Sequence, residues 1–123
     1  STSSISGPPT EYASVFKARE ELAKGFTKET SISTIGCRFY SVYGERELYK
    51  PLEFCNMVSQ IIMKSIVGKT IKIYGDGSQT RDFISVESIC DGLIKSMKFC
   101  FKNPGFSDVI YLGTGRALSF LKE

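Results

Sequence analysis

The chain of 123 residues contains no histidine. That excludes mixed Cys/His zinc sites and leaves any acid–base chemistry to Tyr, Lys, Cys, Asp or Glu. Its four cysteines, Cys37, Cys55, Cys90 and Cys100, form no C-x-x-C pair. An all-cysteine metal site at these spacings is therefore not expected, and no metal is. They fall within helical and strand-like patterns, which fits reduced, buried small hydrophobes and a reducing, cytoplasmic setting. No apolar run approaches the length of a membrane span, and no signal-peptide pattern is visible. Charge of one sign is scarce too. Sixteen Lys and Arg against 13 Asp and Glu give a net charge of +3, and the basic residues are scattered. A nucleic-acid surface would show a basic stripe, so that class is excluded, while small anionic ligands are not. Also missing is any G-x-x-G-x-x-G turn, the device that seats a dinucleotide pyrophosphate on a helix N-terminus.

What is present is an ordinary globular composition, 41% hydrophobic and 24% charged, in a chain long enough for a modest core. Three segments carry helical periodicity. In "EYASVFKAREELAKGF" Val15, Phe16, Leu22, Ala23 and Phe26 share a face. In "EFCNMVSQIIMKSIVGK" Phe54, Met57, Val58, Ile61, Ile62 and Ile66 do, with Gly68 as a stop; in "ESICDGLIKSMKFCF" the set is Ile89, Leu93, Ile94, Met97, Cys100 and Phe101. These stripes read as core faces. Between them lie four strand-like runs, "STIGCRFYSVYG", "TIKIYG", "DFISV" and "DVIYLG", several ending in glycine. Strands alternating with helices predict an α/β domain with an at least partly parallel sheet, and no linker divides the chain. Ligands in such sheets sit at the carboxyl ends of the strands, which directs attention to "VYGE", "IYGDGSQTRD" and "LGTGR".

In "IYGDGSQTRDF" a strand gives way to a tight turn at Gly75–Asp76–Gly77, then to Arg81 and Asp82. Arg81 either pairs with its neighbour Asp82 or reaches across the loop to a phosphate, for which a guanidinium is well shaped. Gly113 and Gly115 of "LGTGR" read as backbone-turn residues.

The segment "IKIYGDGSQTRDFISVESICDGL" resembles the NAD-dependent nucleotide-sugar epimerase/dehydratase family, the extended short-chain dehydrogenase/reductases, in its UDP-glucose 4-epimerase-like branch. The family pattern Y/F-G-D-G-x-Q-x-R-D-F/Y-x-x-V is matched at Tyr74, Gly75, Asp76, Gly77, Gln79, Arg81, Asp82, Phe83 and Val86. "CRFYSVYGER", "VIYLGTGRALS" and "STSSISG" resemble further family segments in the same order, so the resemblance runs from Ser1 to about Ser119. It implies the C-terminal part of a Rossmann-like NAD(P)-binding domain plus part of the smaller substrate-binding domain, with residues 1–123 forming one partial epimerase/dehydratase domain. It implies NAD as cofactor, a nucleotide-diphosphate sugar as substrate, no nucleic acid or membrane partner, and a homodimer in the full-length protein.

Residue by residue, the resemblance gives Arg81 to the sugar nucleotide's diphosphate. Ser41 stands where most members hold the diphosphate with asparagine, and Tyr40 borders the nicotinamide. Thr2 matches the Ser/Thr that hydrogen-bonds the reacting hydroxyl. Ser3 and Ser4 follow it where the sugar 4,6-dehydratases carry an Asp-Glu pair, which favours epimerisation or simple oxidoreduction. In the family a tyrosine takes a proton from the sugar hydroxyl while NAD+ takes the hydride. A free tyrosine, with a pKa of about 10, needs a nearby lysine and the cationic nicotinamide to serve as base. Here Tyr12 and Lys17 fill those places, but as Y-x-x-x-x-K rather than Y-x-x-x-K. On an ideal helix that separates them by about 140° instead of about 40°. Lys17 and Glu21 keep the family register, so the extra residue lies between Tyr12 and Lys17. Three readings follow: an irregular first turn that absorbs the extra residue, an inactive site in a binding protein, or an insertion introduced into the sequence. The missing glycine turn implies that the isolated chain neither binds NAD tightly nor turns over substrate.

Overall fold

The structure is a computed structural model that describes residues 10–73 and 75–119. Its elements run α1 (Glu11–Thr30), β1 (Thr34–Phe39), β2 (Ser41–Tyr43), two 3-10 turns (Glu45–Tyr49 and Leu52–Phe54), α2 (Met57–Ile66), β3 (Thr80–Ser85), α3 (Val86–Lys102), β4 (Ser107–Leu112) and β5 (Ala117–Ser119). The α/β class with parallel strands is what the sequence led one to expect. The chain divides into two compact units, one holding α1, β1, β4 and α3 from Ser88 on, the other β2, α2, β3 and β5. The run "STIGCRFYSVYG" is accordingly split, β1 going to one sheet and β2 to the other. Of "TIKIYG", residues 70–73 lie in no strand, and Tyr74 is outside the described residues.

In the first unit β1 and β4 pair in parallel, Thr34 against Ser107 through Phe39 against Leu112. Strand side chains alternate, and the two faces take different helices. Thr34 hydrogen-bonds Thr27 and Arg38 binds Glu20, both on α1. The opposite face carries Cys37, which meets Ser96 of α3, while Leu112 fills the space where a side chain on Gly92 of α3 would stand. The strand pair is thus sandwiched between two helices.

Those contacts correct the expected helix faces. On α1 the inward stripe is Ala13, Phe16, Glu20, Ala23 and Thr27, whereas Val15, Leu22 and Phe26 are 57%, 73% and 48% exposed. On α3 it is Ile89, Gly92, Ser96 and Cys100, and Leu93, Ile94, Met97 and Phe101 are exposed. Much of each inward stripe is small, Ala13, Ala23, Gly92 and Ser96 among it, because close helix–sheet approach leaves little room for large side chains. The large apolar residues run along the other side, a stripe of equal period that hydropathy alone cannot rank second. The cysteines are all free thiols, but only Cys55 is buried; Cys90 is exposed.

In the second unit β3 is central. Its first half pairs antiparallel with β5 and its second half parallel with β2. α2 starts at Met57, later than its hydrophobic pattern, because the preceding residues form a 3-10 turn and Asn56 caps the helix by accepting from the Val58 N–H. It ends before Gly68, whose φ of 64° suits glycine, as expected.

Candidate functional site

Register builds a pocket in the second unit. Ser41 stands opposite Phe83, and Arg81 lies two residues before Phe83, so alternation puts all three on one face of β2 and β3. Asn56 and Met57 at the start of α2, with Ile73 and Gln79, complete a cavity of about 380 Å³. Arg81 is exposed and donates from Nη1 to the carbonyl of Thr80 at 2.8 Å, leaving most of its fork of donors to face the pocket. Arg81 and Ser41, singled out by resemblance, are therefore brought together. Asp82 is not the partner of Arg81. One position along the strand, it points to the other face, where Thr114 and Gly115 take up its carboxylate.

The turn ahead of β3 is shaped by Asp76, whose Oδ1 accepts from the Ser78 N–H at 3.0 Å and hydroxyl at 2.6 Å. These bonds hold its carboxyl below the usual range. Gly75 and Gly77 on either side have φ of 82° and 76°, the left-handed region where glycine is at ease. Sequence reasoning left Asn56, Met57, Ile73, Gln79 and Phe83 out of the site. Phe83 was accessible by the two-residue step from Arg81; Asn56 depends on where α2 begins, which hydropathy misplaced.

The remaining expected site residues lie in the first unit or outside the described residues, as Thr2 does. α1 is continuous from Glu11, capped by the Thr10 hydroxyl accepting from the Ala13 N–H, and no bulge lies between Tyr12 and Lys17. The irregular first turn is absent, so the two side chains leave the helix about 140° apart. Tyr12 packs on Phe16 with ring centroids 4.6 Å apart and lies on the outward side. Four residues ahead of Lys17 stands Ala13, 2% exposed. α1 runs antiparallel to β1, since Thr27 meets Thr34 and Glu20 meets Arg38. At about 1.5 Å per helical and 3.3 Å per strand residue, that slope carries Tyr40 to the level of Phe16 and Lys17. Tyr40 stacks loosely on Tyr111, 6.2 Å between centroids, at the carboxyl end of the strand pair.

Parallel strands covered by helices on both faces, with polar and aromatic residues at their carboxyl ends, define a piece of a Rossmann-like protein. Residues 1–109 match the NAD dependent epimerase/dehydratase family, and the chain belongs to that family. An uncharacterised protein of Methanocaldococcus jannaschii is 30% identical over 95 residues, 76% of this chain and 27% of that protein. Among solved structures, UDP-N-acetylglucosamine 4-epimerase of Methanobrevibacter ruminantium, in complex with UDP-N-acetylmuramic acid, superposes with a TM-score of 0.77 at 26% identity. The alignment covers 92% of this chain and 34% of that one. UDP-glucuronic acid 4-epimerase of Bacillus cereus, in complex with UDP-glucuronic acid and NAD, gives a TM-score of 0.72 at 25% identity over 93% and 34% of the two chains. The UDP-glucose 4-epimerase of Thermotoga maritima, at 24% identity and a TM-score of 0.79 over 92% and 34%, shares the fold. The chain thus spans about a third of these solved structures, 34% in each. Among the described residues no helix is long and apolar enough to cross a membrane.

Tyr40 thus stands at the carboxyl end of the strand pair with Lys17 at its level on α1, and the sequence holds no glycine turn of the kind that seats a pyrophosphate.

Proposed function

We propose that the chain grips the nucleoside-diphosphate end of a nucleotide sugar, as part of an NAD-dependent nucleotide-sugar epimerase. The observation that carries this is the convergence of Arg81, Ser41 and Phe83 beside the start of α2 in one cavity. The guanidinium fork suits a diphosphate, a hydroxyl adds a second donor, and the apolar members suit a base or ribose. Structural relatives with sugar nucleotides bound support the substrate class.

When bound, NAD supplies hydride acceptance and return. The chain's own contributions in this reading are Thr2 as a hydroxyl to the reacting sugar, Tyr12 as proton acceptor, Lys17 as its cationic partner and Tyr40 beside the nicotinamide. A second reading, a non-catalytic binding protein, has the geometry of α1 in its favour, because Ala13 and not Tyr12 stands in phase with Lys17. The outward stripe of Tyr12, Val15, Leu22 and Phe26 suits a helix-to-helix homodimer. We place the protein in the cytoplasm.

The test is binding of UDP to the chain by calorimetry. Wild type is expected to bind, and Arg81→Ala to weaken it at least about tenfold, the loss of a charge-assisted bond. Equal binding by the two proteins would remove the pocket from consideration.

A further inference from the structure

We infer that Glu47, which does not itself line that cavity, is a positioning residue for the nucleotide pocket; this rests on the nucleoside-diphosphate reading above. Glu47 lies in the 3-10 turn that follows β2, and its side chain is 12% exposed. Its Oε1 accepts from the Asn56 N–H at 2.6 Å and its Oε2 from the Ser59 hydroxyl at 2.7 Å. Lys50 Nζ stands 3.7 Å from Oε1. Both carboxylate oxygens are therefore committed to the first turn of α2, where a negative charge also meets the positive end of the helix dipole.

Asn56 passes the constraint on. Its Oδ1 caps α2 through the Val58 N–H at 3.1 Å, and its Nδ2 donates to the carbonyl of Val42 in β2 at 3.0 Å. Val42 adjoins Ser41, and Asn56 and Met57 line the pocket with it. Glu47 thus fixes the start of α2 against β2, setting the distance between the pocket's two walls. Hydrogen bonding to a charged acceptor at low exposure makes this brace stiffer than the capping amide alone. Its carboxylate already occupies the α2 N-terminus, and Arg81 is the cationic side chain among the pocket's lining residues.

The experiment uses the 123-residue chain and UDP. Glu47→Ala, Glu47→Gln, Arg81→Ala and the control Ile84→Val are compared by calorimetry at a temperature where all are folded, and by amide hydrogen exchange at Asn56 to Ser59. Ile84 is buried on the β3 face away from the pocket, so its truncation lowers stability without removing a hydrogen bond of the brace. Glu47→Ala is expected to weaken UDP binding about tenfold and to speed exchange at Asn56. Glu47→Gln keeps an acceptor for the Asn56 N–H and an amide for the Ser59 hydroxyl, and is expected to restore both to within about threefold of wild type. Ile84→Val should move melting but not UDP affinity. Unchanged affinity in Glu47→Ala, with wild type binding and Arg81→Ala impaired, overturns the role of Glu47 alone. So does an affinity loss in Ile84→Val matching that of Glu47→Ala. Failure of wild type to bind UDP overturns the nucleotide reading, and the positioning role with it.

Discussion

Thr114 donates both its N–H and its hydroxyl to one oxygen of Asp82, at 3.0 and 2.6 Å. The other oxygen accepts from the Gly115 N–H at 2.9 Å. One carboxylate thereby fastens the loop between β4 and β5 to β3, the strand that carries Arg81. Burial pushes the Asp82 carboxyl up, but the three bonds together outweigh it and leave it below its ordinary value. A folded-state pKa below the unfolded one contributes stability above the unfolded value and loses it as pH falls. Asp82→Asn is therefore expected to cost about 1–2 kcal/mol at pH 7 and progressively less below about pH 4. Urea unfolding of both proteins at pH 7 and pH 3 checks this; a gap that does not narrow in acid argues against the clasp.

Arg38 and Glu20 form a two-pronged pair, Nε to Oε1 at 2.8 Å and Nη2 to Oε2 at 2.7 Å, with side chains 15% and 19% exposed. The guanidinium also lies over the Tyr111 ring, 5.1 Å from its centroid. Hydrogen bonding to Arg38 holds the Glu20 carboxyl below its usual range. Removing one partner strands the other, so Glu20→Met should cost about 2–3 kcal/mol, somewhat under the loss for a fully buried pair. Glu20→Met with Arg38→Met together should cost less than the two single losses summed. Thermal denaturation of the four proteins closes the cycle, and strict additivity would contradict the pairing.

Gly44 and Gly25 are expected to respond to alanine in opposite directions. A Cβ on Gly44 would stand 2.6 Å from Cγ1 and 3.1 Å from Cβ of Val86, whose branched side chain turns with difficulty. Gly44→Ala should lose about 1–3 kcal/mol through overpacking. Gly25 is inside α1 with nothing within 4 Å of an added Cβ, so Gly25→Ala should gain up to about 1 kcal/mol in helix propensity. Melting temperatures decide both.

The phase of α1 can be tested by turnover in the longest natural form of the protein. If Tyr12 is the proton acceptor, Tyr12→Phe should lower turnover of UDP-sugars by about 10²- to 10⁴-fold. Deleting Ser14 puts a tyrosine four residues ahead of Lys17 and should raise turnover if the offset limits the pair. Turnover indifferent to both changes assigns the chemistry elsewhere, and none in any of the proteins favours the binding reading.

The sequence by itself determined the α/β class, the three helices and the turn that leads into Arg81. These rest on periodicity and on a motif whose spacing is fixed by a strand and a tight turn, all local properties of the chain. Tertiary structure decided which side of each helix faces inward. Ala13, Glu20 and Thr27 on α1, and Gly92 and Ser96 on α3, face inward, although Leu22 and Phe101 are far more apolar. It also decided that Thr34–Tyr43 divides between two sheets, and that Asp82 turns to Thr114 rather than to Arg81. Both outcomes depend on segments distant in sequence, β4 and β3 for the divided run and the β4–β5 loop for Asp82, supplying partners that no local pattern encodes. The separation of Tyr12 from Lys17 lies between the two cases: the sequence set the five-residue step, and the unbroken first turn of α1 converted that step into an angle.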